Sequence, residues 1–156
     1  LDPDSFRAVM GRFASGVTVV TATDDAGSAY GMTVSALASV SLQPPLVVVC
    51  IDHAASLHDT LTNAPYFAVN ILASTQEPIA RRFADTGAHG FEGIGYRNGD
   101  NGVPIHNDVL AFVECRRVSS ETAGDHTVII GETVATSMRD ARPLLYYRGG
   151  FAQLER

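Results

Sequence analysis

Residues 30 to 53 read YGMTVSALASVSLQPPLVVVCIDH. Two apolar runs, Met32 to Val40 and Leu46 to Ile51, flank Gln43, Pro44 and Pro45. Proline fixes φ and has no N–H for a ladder, so the prolines fall outside the strands and the stretch reads strand, turn, strand. In the first run Thr33, Ser35, Ser39 and Ser41 alternate with Val34, Leu37 and Val40. Four hydroxyls on one segment have two readings. They belong to an edge strand and meet water, or they form a line of small donors along a flat polar ligand.

The surrounding sequence predicts more strand than helix. Asp2, Pro3, Asp4 and Ser5 offer caps and a first-turn proline, and Phe6, Val9, Met10 and Phe13 recur at helical spacing, so residues 4–13 read as an amphipathic helix. Gly16 breaks it. Residues 17–23 are largely β-branched, and the Asp24, Asp25, Ala26, Gly27 turn pairs them with the following strand as a hairpin. Ser56 with Asp59 three residues on resembles a capping box opening a helix that ends near Asn63, ahead of Pro65. That corner either holds an anion at its free N–H groups or is only capped. Residues 66–72 read as a strand and 76–83 as a second short helix with Ile79, Ala80 and Phe83 on one face. Residues 85–102 contain six glycines and little periodicity, and read as a long loop of the lid or binding kind. Gly93, Ile94 and Gly95 do not make a dinucleotide fingerprint, because Asn98 stands in place of the third glycine and no strand precedes them. Strands over 109–118, 127–136 and 144–147 complete the chain. Strict strand-helix alternation is absent, so the expected architecture is mainly β: a closed or nearly closed antiparallel barrel with two or three peripheral helices.

Composition narrows the function. The length of 156 residues suits a single domain over 1–156, with a core of useful size. Net charge is −6, and the 11 basic residues are all arginine and scattered, which argues against nucleic acid. No apolar run approaches the ~18 residues of a spanning helix, so no membrane role is expected. Cys50 and Cys115 sit inside apolar runs as free thiols, which fits a reducing, cytoplasmic setting. The row begins at Leu1, so missing preceding residues or a removed targeting segment remain open. Cys50, Asp52, His53 and His58 are metal-ligand types without a zinc spacing, so no metal is expected. Scattered Ser and His residues without a G-x-S-x-G elbow give no hydrolase signal. Gly124, Asp125 and His126 place a histidine at a strand mouth, where it either faces a ligand or is a surface turn residue.

Together, GMTVSALASVSLQPPLVVVCID, Ser56, YFAVNILASTQEPIARRFA, AGDHTVIIGE and RPLLYYRGGF resemble the short-chain flavin reductases of the FMN-binding split-barrel superfamily, over residues 5 to 154. The resemblance implies a homodimer with FMN or FAD near the subunit interface. It implies hydride transfer from nicotinamide C4 of NADH or NADPH to flavin N5, with delivery of reduced flavin to a separate monooxygenase. Thr33, Val34, Ser35 and Ala36 would face the isoalloxazine and ribityl chain. Cys50, Ile51 and Asp52 would line the same pocket, Asp52 meeting ribityl hydroxyls or a backbone amide. Ser56, Arg82 and Phe83 would hold the phosphate end, and His126 the nicotinamide. Tyr147 and Arg148 would close the pocket. Two other classes stay open: a protein that stores or senses FMN without turnover, and a split-barrel oxidoreductase using F420 or a pyridoxamine-type substrate.

Overall fold

The computed structural model describes residues 1–85 and 90–155. Twelve strands are described: β1 Ser15–Gly16, β2 Thr18–Thr23, β3 Ala29–Val34, β4 Leu37–Leu42, β5 Pro45–Asp52, β6 Tyr66–Ile71, β7 Tyr96–Asn98, β8 Pro104–His106, β9 Ala111–Ala123, β10 His126–Met138, β11 Leu144–Tyr147 and β12 Gly150–Gln153. Three helices accompany them: α1 Pro3–Met10, α2 His58–Asn63 and α3 Glu77–Ala84. The mainly β, antiparallel architecture expected from the sequence is the one observed.

Seven strands form the main sheet in the order β3-β2-β6-β9-β10-β5-β4, with every neighbour antiparallel. The order puts β3 and β4 at opposite edges, although only Ser35 and Ala36 separate them in the chain. Laid flat, seven strands would set those edges about 29 Å apart at ~4.8 Å per strand. Three Cα steps reach about 11 Å. The sheet must therefore curl until its edges meet, which is how a short corner makes a barrel. At that corner Leu37 donates its N–H to Ser35 O (3.0 Å) and Cys50 donates to Ala36 O (3.2 Å). The expectation of one strand over residues 32–40 is thus corrected: the run is two strands with a kink between them. Pro45 begins β5 opposite Leu42, instead of lying outside the strand.

The curled sheet encloses Val20, Val49, Ile51, Leu61, Phe67 and Ile129, all with no exposed surface. Gly131 belongs to this packing, because a Cβ there would lie 2.5 Å from the Phe67 ring. β9 and β10 extend beyond the expected bounds and turn through Gly124 and Asp125 alone, with Gly124 at φ +61°. The predicted loop over 85–102 contains β7, which pairs with β8; its residues 86–89 lie outside the described residues. β8 is tied to the barrel by buried polar groups. Thr21 Oγ1 donates to Pro104 O (2.5 Å), Asn70 Nδ2 donates to Val19 O (2.9 Å), and His106 N–H donates to Asn70 Oδ1 (3.0 Å).

Helix α1 begins as its caps predict, with Asp2 accepting from Asp4 N–H and Pro3 in the first turn. It ends at Met10, short of Phe13, and buries none of its residues. Phe6, Val9, Met10 and Phe13 are all exposed, Phe13 at 78%. Arg148 N–H donates to Gly11 O (2.9 Å) at the end of the helix. Among the described residues no helix is long and apolar enough to cross a membrane.

Candidate functional site

A cleft of about 520 Å³ opens where four segments converge. Strand β3 contributes Gly31, Met32 and Thr33, with Ser35 from the corner beyond it; the segment before α2 contributes Ala55, Ser56 and Leu57. The C-terminal end of α3 gives Arg81, Phe83, Ala84 and Asp85, and the β11–β12 hairpin gives Tyr146, Gly149, Gly150 and Phe151. Buried Val17 also lines the cleft.

Helix α3 faces the barrel with Ala80 and Phe83, which are buried at i and i+3. Phe83 lies flat enough on β3 that a Cβ on Gly31 would stand 3.0 Å from its ring, so only glycine fits there without displacing it. Thr33 Oγ1 donates to Ala80 O (2.6 Å) and locks helix to strand. The Thr33 hydroxyl proton is therefore already used, which corrects the picture of four ligand donors: its oxygen remains as an acceptor. Ser35 and Ser56 are exposed on the cleft with their hydroxyls unpartnered among the described residues. Ser56 does not cap α2. The N-cap position is Leu57 and carries no side-chain bond, so the capping-box expectation is corrected.

The two adjacent arginines of α3 take different directions, being about 100° apart on the helix. Arg81 lines the cleft, with its guanidinium 5.0 Å from the centroid of the Phe151 ring and Nε donating to Glu77 Oε2 (2.9 Å). Arg82 is exposed and donates from Nη2 to Glu92 O, and is not among the lining residues. Of the expected residues, the structure brings Thr33, Ser35, Ser56 and Phe83 together in the cleft.

The others lie around it. Val34 is buried beneath β3, and Ala36 sits at the corner. Cys50 is half-buried in β5 and Ile51 points into the barrel. Asp52 is exposed and accepts from Ala54 N–H (2.8 Å), one of the two partners expected for it. Tyr147 and Arg148 occupy the hairpin turn next to lining residues, with Arg148 at φ 52°. His126 opens β10 opposite Asp52 of β5, and its Nδ1 lies 2.7 Å from Asp125 Oδ1. That hydrogen bond, with the charge on the ring when it is protonated, holds the Asp125 carboxyl below its ordinary value.

Sequence reasoning missed Arg81, Tyr146 and Phe151. An Arg-Arg pair followed by Phe does not say which guanidinium faces the cleft; only the position of the buried face at Ala80 and Phe83 decides it. Phe151 lies on β12, the one strand of the terminal hairpin that the sequence pattern did not show.

The same chain region matches a family model described as flavin reductase like domain, over residues 10–155. The chain belongs to the flavin reductase-like family. Among family relatives, the FMN reductase (NADH) SmoA of Agrobacterium fabrum is 41% identical over 97% of this chain and 86% of its own. The reductase component of a 4-nitrophenol 4-monooxygenase/4-nitrocatechol 2-monooxygenase of Rhodococcus opacus is 39% identical over 97% and 80%. The NADH:FAD oxidoreductase SgcE6 of Streptomyces globisporus, solved in complex with NAD and FAD fragments, superposes with a TM-score of 0.92 at 35% identity, over 99% of this chain and 95% of that one.

The cleft fits the flavin that the family implies. A guanidinium at one side, two unpartnered hydroxyls, an acceptor oxygen and the rings of Phe83, Tyr146 and Phe151 match a ligand with an anionic end, a hydroxylated chain and a flat apolar end. Among the described residues no three His, Cys, Asp or Glu side chains converge as a metal site.

Proposed function

We propose that this protein is an NADH-dependent flavin reductase that binds FMN or FAD in the β3–α3 cleft and passes reduced flavin to a separate monooxygenase. The single observation that carries the reading is the cleft's composition, an arginine and two hydroxyls unpartnered among the described residues, beside aromatic faces. The names of the relatives support NADH as reductant and a two-component partnership. Flavin and nicotinamide together supply the redox chemistry, a hydride transfer; the chain supplies binding and orientation, which can be worth ~7–11 kcal/mol of a barrier.

In this reading Arg81 and Ser56 hold the flavin phosphate, while Thr33 Oγ1 and the Ser35 hydroxyl meet the hydroxylated chain. Phe151 and Tyr146 cover the flat end. Asp125 accepts from His126 Nδ1–H, so neutral His126 presents Nε2 as an acceptor, suited to a carboxamide N–H of the nicotinamide. His126 does not line the cleft, and this assignment rests on the resemblance alone. A homodimer is part of the proposal. Leu42 on edge strand β4 and Met138 at the end of β10 are 84% and 86% exposed, apolar surface that a second subunit would cover.

The test compares FMN with riboflavin, which lacks the phosphate. Arg81→Ala is expected to weaken FMN tenfold to a hundredfold, the scale of a charge-assisted contact of ~1.5–3 kcal/mol, and riboflavin far less. Arg82→Ala is expected to leave both nearly unchanged. Equal weakening of the two ligands by Arg81→Ala sinks the phosphate assignment, and a larger effect from Arg82→Ala moves it to that arginine.

A further inference from the structure

The segment that brings Ser56 to the cleft is an arch from His53 to His58, and both of its ends rest on one oxygen. His53 Nε2 lies 3.1 Å and His58 Nε2 2.7 Å from Thr127 Oγ1. The two rings meet edge to face with centroids 5.1 Å apart. Thr127 is 6% exposed and follows His126 in β10, so its side chain leaves the opposite face of the strand.

The direction of each bond follows from the partners. His58 Nδ1 is 3.1 Å from Asp59 Oδ1. An ionised carboxylate only accepts, so Nδ1 carries the proton and the neutral ring leaves Nε2 with a lone pair. Thr127 must then donate its O–H to His58 Nε2. A hydroxyl has one proton, so towards His53 the same oxygen can only accept, and His53 Nε2 carries the hydrogen. The chain of donation runs His53, Thr127, His58, Asp59, with one permitted tautomer for each ring.

We propose that Thr127 is a positioning residue for flavin binding: its hydroxyl clasps both ends of the arch and so fixes Ser56 at the wall of the cleft. The inference rests on the flavin-binding reading above. Thr127 is not among the lining residues, so its effect passes through the arch. Backbone bonds hold the His53 end independently, with His53 N–H donating to Asp125 O (2.9 Å) and Ala55 N–H to Asp52 O (3.0 Å). The hydroxyl therefore governs the placement of the arch more than its existence. Valine has nearly the shape of threonine, so Thr127→Val removes the clasp and keeps the packing.

Two measurements on the full chain test this. Imidazole ¹⁵N–¹H correlation spectra of the flavin-free protein at neutral pH should show His58 protonated at Nδ1 and His53 at Nε2, with the His53 signature lost in Thr127→Val and the His58 proton, held by Asp59, kept on Nδ1. Titration of FMN, read by quenching of its fluorescence, should show threefold to tenfold weaker binding for Thr127→Val and return to within twofold of wild type in Thr127→Ser. His58→Leu should weaken FMN similarly, and the double variant with Thr127→Val should weaken it no further, as two parts of one clasp do. Wild-type FMN affinity in Thr127→Val overturns the proposal, as does a His58 proton found on Nε2, a result that needs no variant to fold. Failure of the wild-type protein to bind any flavin would instead overturn the functional reading, while the tautomer spectra would still report on the clasp.

Discussion

Thr33 and Ser35 differ from Ser39 and Ser41 in almost nothing that sequence records: the four are small hydroxyl residues within nine positions of one run. The structure separates them completely. Thr33 and Ser35 lie at the cleft beside α3, whereas Ser39 and Ser41 belong to β4, whose residues are mostly exposed at the far edge of the sheet order. The water-facing reading holds for the β4 half, and the β3 half stands at the cleft, where Thr33 offers an acceptor and Ser35 a hydroxyl. The division falls at Ser35 and Ala36, where the chain passes from one edge of the sheet to the other. Residue type sets what a side chain can do, and the corner decides where it does so.

The sharpest way to break this comparison is to place a valine on each side. Gly31→Val pushes a Cβ to 3.0 Å from the Phe83 ring, and overpacking of this kind costs ~1–3 kcal/mol. FMN affinity should fall more than a hundredfold as Phe83 moves into the cleft, with a lower thermal midpoint. Ala38→Val on exposed β4 should change stability by no more than ~0.5 kcal/mol and leave FMN affinity alone. Similar affinity losses in the two variants would show that the halves are not functionally distinct.

A second effect tests what stands behind the β3 half. Phe83 packs edge-on against the His106 ring, centroids 4.9 Å apart, and Phe91 stacks on that imidazole at 5.1 Å while meeting Phe83 edge-on at 5.0 Å. His106 is buried with neither ring nitrogen partnered among the described residues, and burial pushes its pKa down from 6.5 to about 4. The unfolded chain then binds a proton that the folded chain refuses. The stability held above the unfolded value is lost as pH falls from about 6.5 towards 4, at up to ~1.4 kcal/mol per unit and about 3 kcal/mol in all. Chemical denaturation across that window should show the slope in the wild type and a flatter profile in His106→Phe. Identical slopes would remove His106 from the account. Hydrogen exchange in the same window should rise at β3 before β4 if the backing of the two halves differs as described.

The smallest effects come from deleting single hydroxyls. Thr33→Val leaves Ala80 O without its donor, which costs ~1–3 kcal/mol. Ser39→Ala should stay within ~0.5 kcal/mol. Paired urea titrations decide this, and a cost at Ser39 equal to that at Thr33 would contradict the division.

Much of the barrel could be read in the chain because strand periodicity, turn residues and caps act locally: Asp2 and Pro3 start α1, and Gly124 turns β9 into β10. Local patterns were silent on the Ser35–Ala36 corner, since no proline or glycine marks it and the apolar alternation runs through it. At the cleft, residue pattern offered Thr33, Ser35 and Ser56 as one of two readings each, and the resemblance assigned them, with Phe83, to a flavin. The choice of Arg81 over Arg82 needs the rotation of α3 against β3, a tertiary fact. Thr127 was invisible for the same reason: its two histidine partners lie 74 and 69 residues away.

Helix α1 has a consequence for how the chain would be digested. Eight residues are too few to hold a helix in water by themselves, and this one contributes nothing to the core. It belongs to the part of the molecule that opens at little free-energy cost, well before the barrel does. The chain contains no lysine, so trypsin can cut only after arginine, and Arg7 and Arg12 sit in and just beyond that helix. Nicking should begin there, at a rate set by local opening and not by global unfolding. Whatever covers Phe6, Val9 and Phe13 would slow it, and with a second subunit as the cover the N-terminal cuts would become slower as protein concentration rises.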